Sequence, residues 1–555
     1  MPWPPTVGPV AAPGRRQVSV HNGADQLGEE MRRWHPSYES FDASYLPERE
    51  TLVARTNDLV RDTPMLGGAI RSQVARIVGD NYRMQYRPAL TAGALTPAEA
   101  VRLIDGVEEQ FRLDAEDDGN LFDASGRMNF TELNACALVQ HMMQGEVFSI
   151  SEFRTAARDR GRIPFATGVS IINPDRVVTP PTEQESPNLR SGFRLTNKGY
   201  AFGAYVLNRH PGDYLSTRFD EDVYRYITRE TPWGRARWQH LFITEAPDQT
   251  RGRAQLVAGI RHARMLQKFE TAALSNAITQ SLYAAVVKSA DPRLAMQGLM
   301  GNDPVAAHAE VAQAQGEFYS DENELVLNGA KIAHLFPGDE LEFKTANQNL
   351  DMFDPFEAAF LRHLARLLDV SYEELSGDYT KTNYSGARAG ALNSDAARET
   401  LNARVPMKFS RYLAALWLEE QCSLGRIPGV PGRTSRARVN WFLNNKQALC
   451  RFRFFGPGTR HIDPVKGTAA AKNELQFGGT TLSEYLNTYT NRSFRETVDE
   501  MALEKAYAAE RGVIVGAESV QREVIAQAPA ELAGTETADS PTSDEAEAST
   551  SDDGE

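Results

Sequence analysis

The chain has 555 residues, 41% hydrophobic and 9% aromatic, proportions that allow a sizeable core and exclude wholesale disorder, a collagen-like repeat and a disulfide-dense miniature scaffold. Lys and Arg number 60 against 74 Asp and Glu, a formal charge of −14 that weighs against a protein coating nucleic acid, because phosphate binding needs basic surface. Cys136, Cys422 and Cys450 form neither a CxxC pair nor a disulfide framework, which suits a reducing compartment. The Pro-rich opening MPWPPTVGPVAAPGRRQ lacks the layout of a secretory signal, and no run of 18 or more apolar residues marks a membrane-spanning helix. A soluble protein made in the cytoplasm is the expectation.

From Arg55 to Val78, Leu59, Leu66, Ile70, Val74 and Ile77 recur on one face, with Arg61, Asp62, Arg71 and Arg76 opposite; this periodicity predicts one half-buried helix ending near Gly79. Between Gly145 and Glu245 the runs VFSISEF, GVSII, GFRL, AFGAYVL and WQHLFIT are punctuated by NPD, TPP, NKG and HPGD, the texture of an antiparallel β region. Asn197, Lys198 and Gly199 would close one hairpin, with Gly199 free to take positive φ. Ala254 to Lys288 contains no proline and keeps Leu256, Ile260, Ala263, Leu266, Glu270, Ala273 and Ala277 on one face; unbroken, it would reach ~50 Å, a strut. Residues 289–353 are glycine-bearing and strand-like around 324–327 and 340–343. Asp354 and Pro355 then cap and start a helix carrying Phe356, Phe360, Leu364 and Leu367. In the helical stretch from Ser385 to Gln421, Pro406 predicts a kink near Val405, since proline removes a hydrogen bond and clashes with the preceding turn. Asp463 and Pro464 start another helix, Gly478 and Gly479 stop it, and Thr481 with Glu484 supplies the next capping box. The architecture expected is α+β, mainly helical with one β-rich layer and no internal repeat.

Signals of reaction chemistry are sparse. The two histidines nearest in sequence are His21 and His35, and there is no HExxH, no GxxxxGK[ST] and no GxSxG, so no metal, cofactor or catalytic residue is expected. The carboxylate pairs Asp117–Asp118 and Glu373–Glu374 leave a metal-dependent nucleic-acid enzyme as the rival reading, although adjacent acids are usually solvated surface. Charge is unevenly spread. Nine acids and no base lie between Ala530 and Glu555, a tail too poor in large apolar side chains to offset its ordering entropy. Gly425 to Arg460 holds Arg426, Arg433, Arg436, Arg438, Lys446, Arg451, Arg453 and Arg460 without an acid, interleaved with Trp441, Phe442, Phe452, Phe454 and Phe455. Such a window could touch a nucleic-acid backbone or, the favoured reading, meet the acidic surface of a neighbouring subunit; Arg433, Arg436, Arg438, Arg451 and Arg453 are its candidate contacts.

Six blocks together carry a resemblance: LVARTNDLVRDTPMLGGAIRSQVARIVGD from Leu52, GEVFSI from Gly145, INPDRV from Ile172, QTRGRAQLVAGIRHARMLQKFETAAL from Gln249, FPGDELEFKTANQNLDMFDPFEAAFLRHLARLLDVSYEELSGDYTKTNYSGARAG from Phe336, and GPGTRHIDPVKGTAAAKNEL from Gly456. In order and spacing they resemble the portal proteins of tailed bacteriophages, phage lambda type, over about residues 52–512.

The resemblance implies a portal fold and a homododecameric ring at one capsid vertex. The chain would divide into a Pro-rich arm (1–51), a wing (52–253), a first stem helix (254–288) and an α/β clip (289–353). A second stem helix (354–375), a tunnel loop (376–384), a kinked tunnel helix (385–424), a wing or crown segment (425–512) and a mobile acidic tail (513–555) would follow. Tyr379, Thr380, Lys381, Thr382 and Asn383 of the loop would approach double-stranded DNA passing without sequence specificity. Implied partners are the terminase large subunit, the major capsid and scaffolding proteins and the neck adaptor proteins, with no membrane. The implied location is the virion, after assembly in the host cytoplasm. A capsid or neck scaffold protein without a channel is a further alternative. A channel must let DNA slide, so a mostly non-basic lining suits it better than a high-affinity groove.

Overall fold

A computed structural model describes residues 31, 33–89, 95–213, 223–282, 286–289, 313, 325–327, 330–332, 339–342, 353–458 and 464–513. Most of the Pro-rich arm, most of the expected clip, Asp463 and nearly all of the acidic tail lie outside them. Residues up to 457 form one unit and those from 458 a second. The fold is mixed, with helices predominating over small antiparallel sheets. No described helix is long and apolar enough to cross a membrane.

The apolar stripe expected as one helix over 55–78 is two helices, Arg49–Asp62 and Pro64–Ile77, separated by Thr63 in an extended conformation. Pro64 causes the break: it lacks an amide hydrogen and is accommodated only in a first helical turn. Leu59, Leu66, Ile70 and Ile77 are nonetheless all buried. They join a large core that also takes in Pro97–Ala115, Phe130–Gln144 and Pro406–Leu424. Phe111 stands at its centre, 5.0 to 6.0 Å by ring centroid from Phe122, Phe130, Trp417 and Phe454. Helices Pro97–Ala115 and Phe130–Gln144 each open on a full capping box, Thr96 with Glu99 and Asn129 with Glu132.

The β region is two antiparallel sheets. Strand Glu146–Phe153 lies between Thr167–Ile172 and Trp238–Phe242, while Leu189–Arg190, Phe193–Leu195, Ala201–Leu207 and Tyr224–Thr228 form the other sheet in that order. The expected hairpin closes at Gly199, whose φ is +78°. Strand 224–228 has its own aromatic pattern, YRYIT, and extends the β region beyond the runs read from the sequence. Side chains on Glu146–Phe153 alternate between cores. Val147 faces the helical core, whereas Phe148 and Ile150 pack with Phe193, Val206, Ile227 and Trp238 between the sheets. One strand is thereby a wall common to both.

The strut is shorter than its sequence suggests. A 3₁₀ turn at Gln255–Gly259 precedes the helix Ile260–Leu282, and residues Val286–Ser289 are already a strand, paired antiparallel with Asp339–Glu342. The partner helix, Phe353–Leu367, is followed by the short helix Tyr372–Ser376. Pro406 acts as its chemistry requires. Tyr384–Arg404 ends at Val405 and Pro406–Leu424 begins anew, with Val405 wholly buried at the junction.

The second unit has helices Pro464–Phe477, Leu482–Tyr485 and Phe494–Glu510, with Thr481 capping the second through Glu484 N. Val465, Phe477, Leu503 and Tyr507 are exposed on these helices.

Candidate functional site

Helices Ile260–Leu282 and Phe353–Leu367 run antiparallel, as their side chains show: His262 meets His363 at 5.7 Å between ring centroids, and Phe269 stacks on Phe353 at 5.3 Å. The strand pairing Ser289↔Asp339 through Val286↔Glu342 continues the same hairpin past the helix ends. Most of the residues between these two strands lie outside the described ones.

Beyond this helix pair the chain reaches the expected loop. Ser371 caps the helix Tyr372–Ser376 by accepting from Glu374 N, and Gly377, at φ +72°, ends it in the left-handed region that suits glycine. Asp378 Oδ1 accepts from Thr380 N at 3.0 Å and from Thr380 Oγ1 at 2.5 Å, bonds that hold its carboxyl below the ordinary carboxylate range. Thr382 N donates to Tyr379 O at 3.2 Å, and Asn383 Oδ1 accepts from Gly386 N at 2.7 Å to cap the next helix. Of the five residues expected to face DNA, Tyr379, Thr380, Lys381 and Asn383 are exposed and Thr382 is half-buried against the loop base. Glu373 and Glu374 form that base. Glu374 pairs with Arg398 and Arg76, and Glu373 accepts from Thr382 Oγ1.

The basic window resolves into two kinds of residue. Phe442, Phe452 and Phe454 are at most 2% exposed, so they are core and cannot serve as a stacking platform for bases. Their interleaving with Arg451 and Arg453 is the two-residue period of strand Phe452–Phe455, which pairs with Arg83–Tyr86. Arg438 turns inward: its Nε and Nη2 donate to the carbonyls of Cys422 and Ser423 at 2.8 and 2.7 Å, satisfying the end of helix Pro406–Leu424. Arg453 lies over the Phe455 ring at 4.9 Å. Arg433, Arg436 and Arg451 are exposed. The other carboxylate pair, Asp117–Asp118, sits on an exposed turn, where Asp117 accepts from Gly119 N. Among the described residues no group of three or more His, Cys, Asp or Glu is arranged to hold a metal ion.

A second cluster was not legible in the sequence. Glu146, fully buried, accepts from Arg49 at 2.9 Å, from Arg251 at 2.6 Å, from Gly252 N at 3.0 Å and pairs with His240 at 2.7 Å. Arg251 also donates to the carbonyls of Pro174 and Val177, and Arg49 pairs with Asp175 at 2.8 Å. Burial alone would raise the Glu146 carboxyl, but Arg251, Arg49 and His240 outweigh it and hold the group well below its usual value. Burial lowers His240 despite its carboxylate partner. Glu146, Asp175 and Arg251 belong to the separate blocks GEVFSI, INPDRV and QTRGR. Their shared charge chemistry was the one available signal.

Residues 27–401 match the family model described as phage portal protein, lambda family. Over 471 residues the chain is 30% identical to Portal protein B of Escherichia phage lambda, covering 84% of this chain and 86% of that protein. It is 29% identical over 485 residues to the Portal protein of Escherichia phage N15, covering 87% and 89%. A solved structure, the neck of an empty gene transfer agent particle, contains a chain that is 12% identical, with TM-score 0.39, covering 82% of this chain and 94% of that one.

Proposed function

The chain belongs to the lambda family of phage portal proteins, and from that premise we propose that it closes into a homododecameric ring at one capsid vertex. The ring is the channel through which a terminase motor drives double-stranded DNA inward, through which the genome later leaves, and to which capsid, scaffolding and neck proteins attach. The family is structural, and the chain's role is that of a conduit without catalysis. The virion is its place of work and the host cytoplasm its place of assembly.

The observation that carries this reading is the match to portal proteins along more than four-fifths of the chain. The geometry supports its finer division. The antiparallel pair Ile260–Leu282 and Phe353–Leu367 serves as the stem, and the chain between them, residues 289–353, as the clip. Loop 377–383, exposed at Tyr379, Thr380 and Lys381, serves as the tunnel loop, with Lys381 making passing contact to phosphates. Arg433, Arg436 and Arg451 remain available to a neighbouring subunit. Negative-stain images of the purified protein test the reading: rings with a central hole near twelvefold symmetry are expected, and monomers or closed shells would overturn it.

A further inference from the structure

Glu373 and Glu374 are consecutive but hold different things. Glu374 is 9% exposed and uses both oxygens, Oε1 for Arg76 of helix Pro64–Ile77 and Oε2 for Arg398 of helix Tyr384–Arg404 at 2.7 Å. Arg398, 8% exposed, is itself fully committed: Nε donates to Gln73 Oε1 at 3.0 Å and Nη1 to Asp395 at 2.6 Å. Gln73 in turn donates to Leu368 O at 3.4 Å. Five residues are too few for a helix to persist unaided, so Tyr372–Ser376 depends on such attachments. Glu373 faces the other way and accepts from Thr382 Oγ1 at 3.0 Å, across the loop.

We propose that these two carboxylates are positioning residues for the loop: Glu374 anchors its start to the helical body, and Glu373 ties its return at Thr382 back to that start. The tip, Tyr379 to Lys381, is then presented at a fixed place and does not sweep through solvent. The Asp378–Thr380 and Tyr379–Thr382 bonds complete a loop braced at both ends and across its middle. The significance for DNA rests on the tunnel-loop reading above; the bracing itself does not.

Hydrogen exchange on the assembled, full-length protein tests it. E374Q should speed exchange of amides 377–383 about tenfold or more, and E373Q should speed those near Thr382, with both rings still assembled; E374D, which keeps the charge, should recover part of the protection. L103A, a truncation in the core of helix Pro97–Ala115, is the control for lowered stability and should leave the loop amides slow. If E374Q fails to assemble, Arg76→Ala replaces it, because Arg76 is 46% exposed and its loss leaves Arg398 in place. Unchanged loop exchange in E374Q, or equal acceleration in L103A, overturns the proposal. Retention of packaged DNA is read in the same variants. Faster loop exchange with unchanged retention supports the bracing and counts against the loop's role on DNA, whereas lost retention without faster exchange overturns the bracing.

Discussion

Glu146 and Glu374 each bridge two arginines drawn from distant parts of the chain, yet they are set in different surroundings. Around Glu146 both arginines are buried, and the cluster ties helix Arg49–Asp62 to strand Glu146–Phe153, the 174–177 turn and segment 249–253. Around Glu374 one arginine is buried and the other half-exposed, and what hangs from the cluster is an exposed loop. The same ionic device thus ties buried segments together when water is excluded and holds the attachment of an exposed loop when it is not. Burial decides which, because an unpaired charge out of water is far costlier than one that can be resolvated.

Breaking the first cluster should have the largest effect. E146Q leaves Arg251 buried without its counter-charge and Arg49 with Asp175 alone, and a loss of about 3–5 kcal/mol is expected by urea unfolding, against a smaller loss for E374Q; equal losses would undo the comparison. The pH profile sharpens it. Glu146 is depressed in the folded state, and His240 and His141, the latter to about 4, are depressed by burial. Each favours the native state at pH above its unfolded value, and that stability drains as pH falls through the folded one. Acid unfolding should therefore begin below about pH 6.5, the unfolded histidine value, and E146Q should flatten the part of the profile at lower pH.

A third carboxylate, Glu108, marks the contrasting case. It accepts from Tyr86 N at 2.8 Å, but burial dominates and pushes it up to about 7. Its neutral form suits the fold, so its contribution is full below the unfolded carboxylate value and is lost as pH rises through 7. E108Q should stabilise the protein at pH 8 by on the order of 1–3 kcal/mol and leave it nearly unchanged at pH 4, as melting at the two pH values would show. Smallest in stability is Lys381→Ala, within about 0.5 kcal/mol for an exposed position, with rings assembled and DNA packaging or retention reduced. Failure of this variant to assemble would count against the tunnel-loop reading.

Local chemistry carried far in the sequence where one residue forces the backbone. Pro406 produces its break at Val405 and Gly199 its hairpin, because neither depends on distant neighbours. Pro64 acts by the same rule, yet the apolar stripe from Leu59 to Ile77 keeps its period across it and hides the break. The loop's place between two helices was legible only through the family resemblance, and Gly377 and Asn383 are seen to end and begin those helices only in the structure. The loop's bracing was not legible, since Arg398 meets Gln73 from 325 positions away.

Sequence alone marked several of the helices, where a β layer lies and, through six ordered blocks, which family the chain resembles; Pro97–Ala115 and Phe130–Gln144 emerged only in the structure. Periodicity and capping are properties of neighbouring residues, and a family pattern is a property of order. Tertiary structure alone decided what the charges do. It turned Arg438 onto a helix end, sank Phe442, Phe452 and Phe454 of the basic window into the core, and gathered Glu146, Arg49, Arg251 and His240 from four segments. The worth of a charge depends on the water and counter-charges around it, and those are set by packing among residues that no local pattern connects.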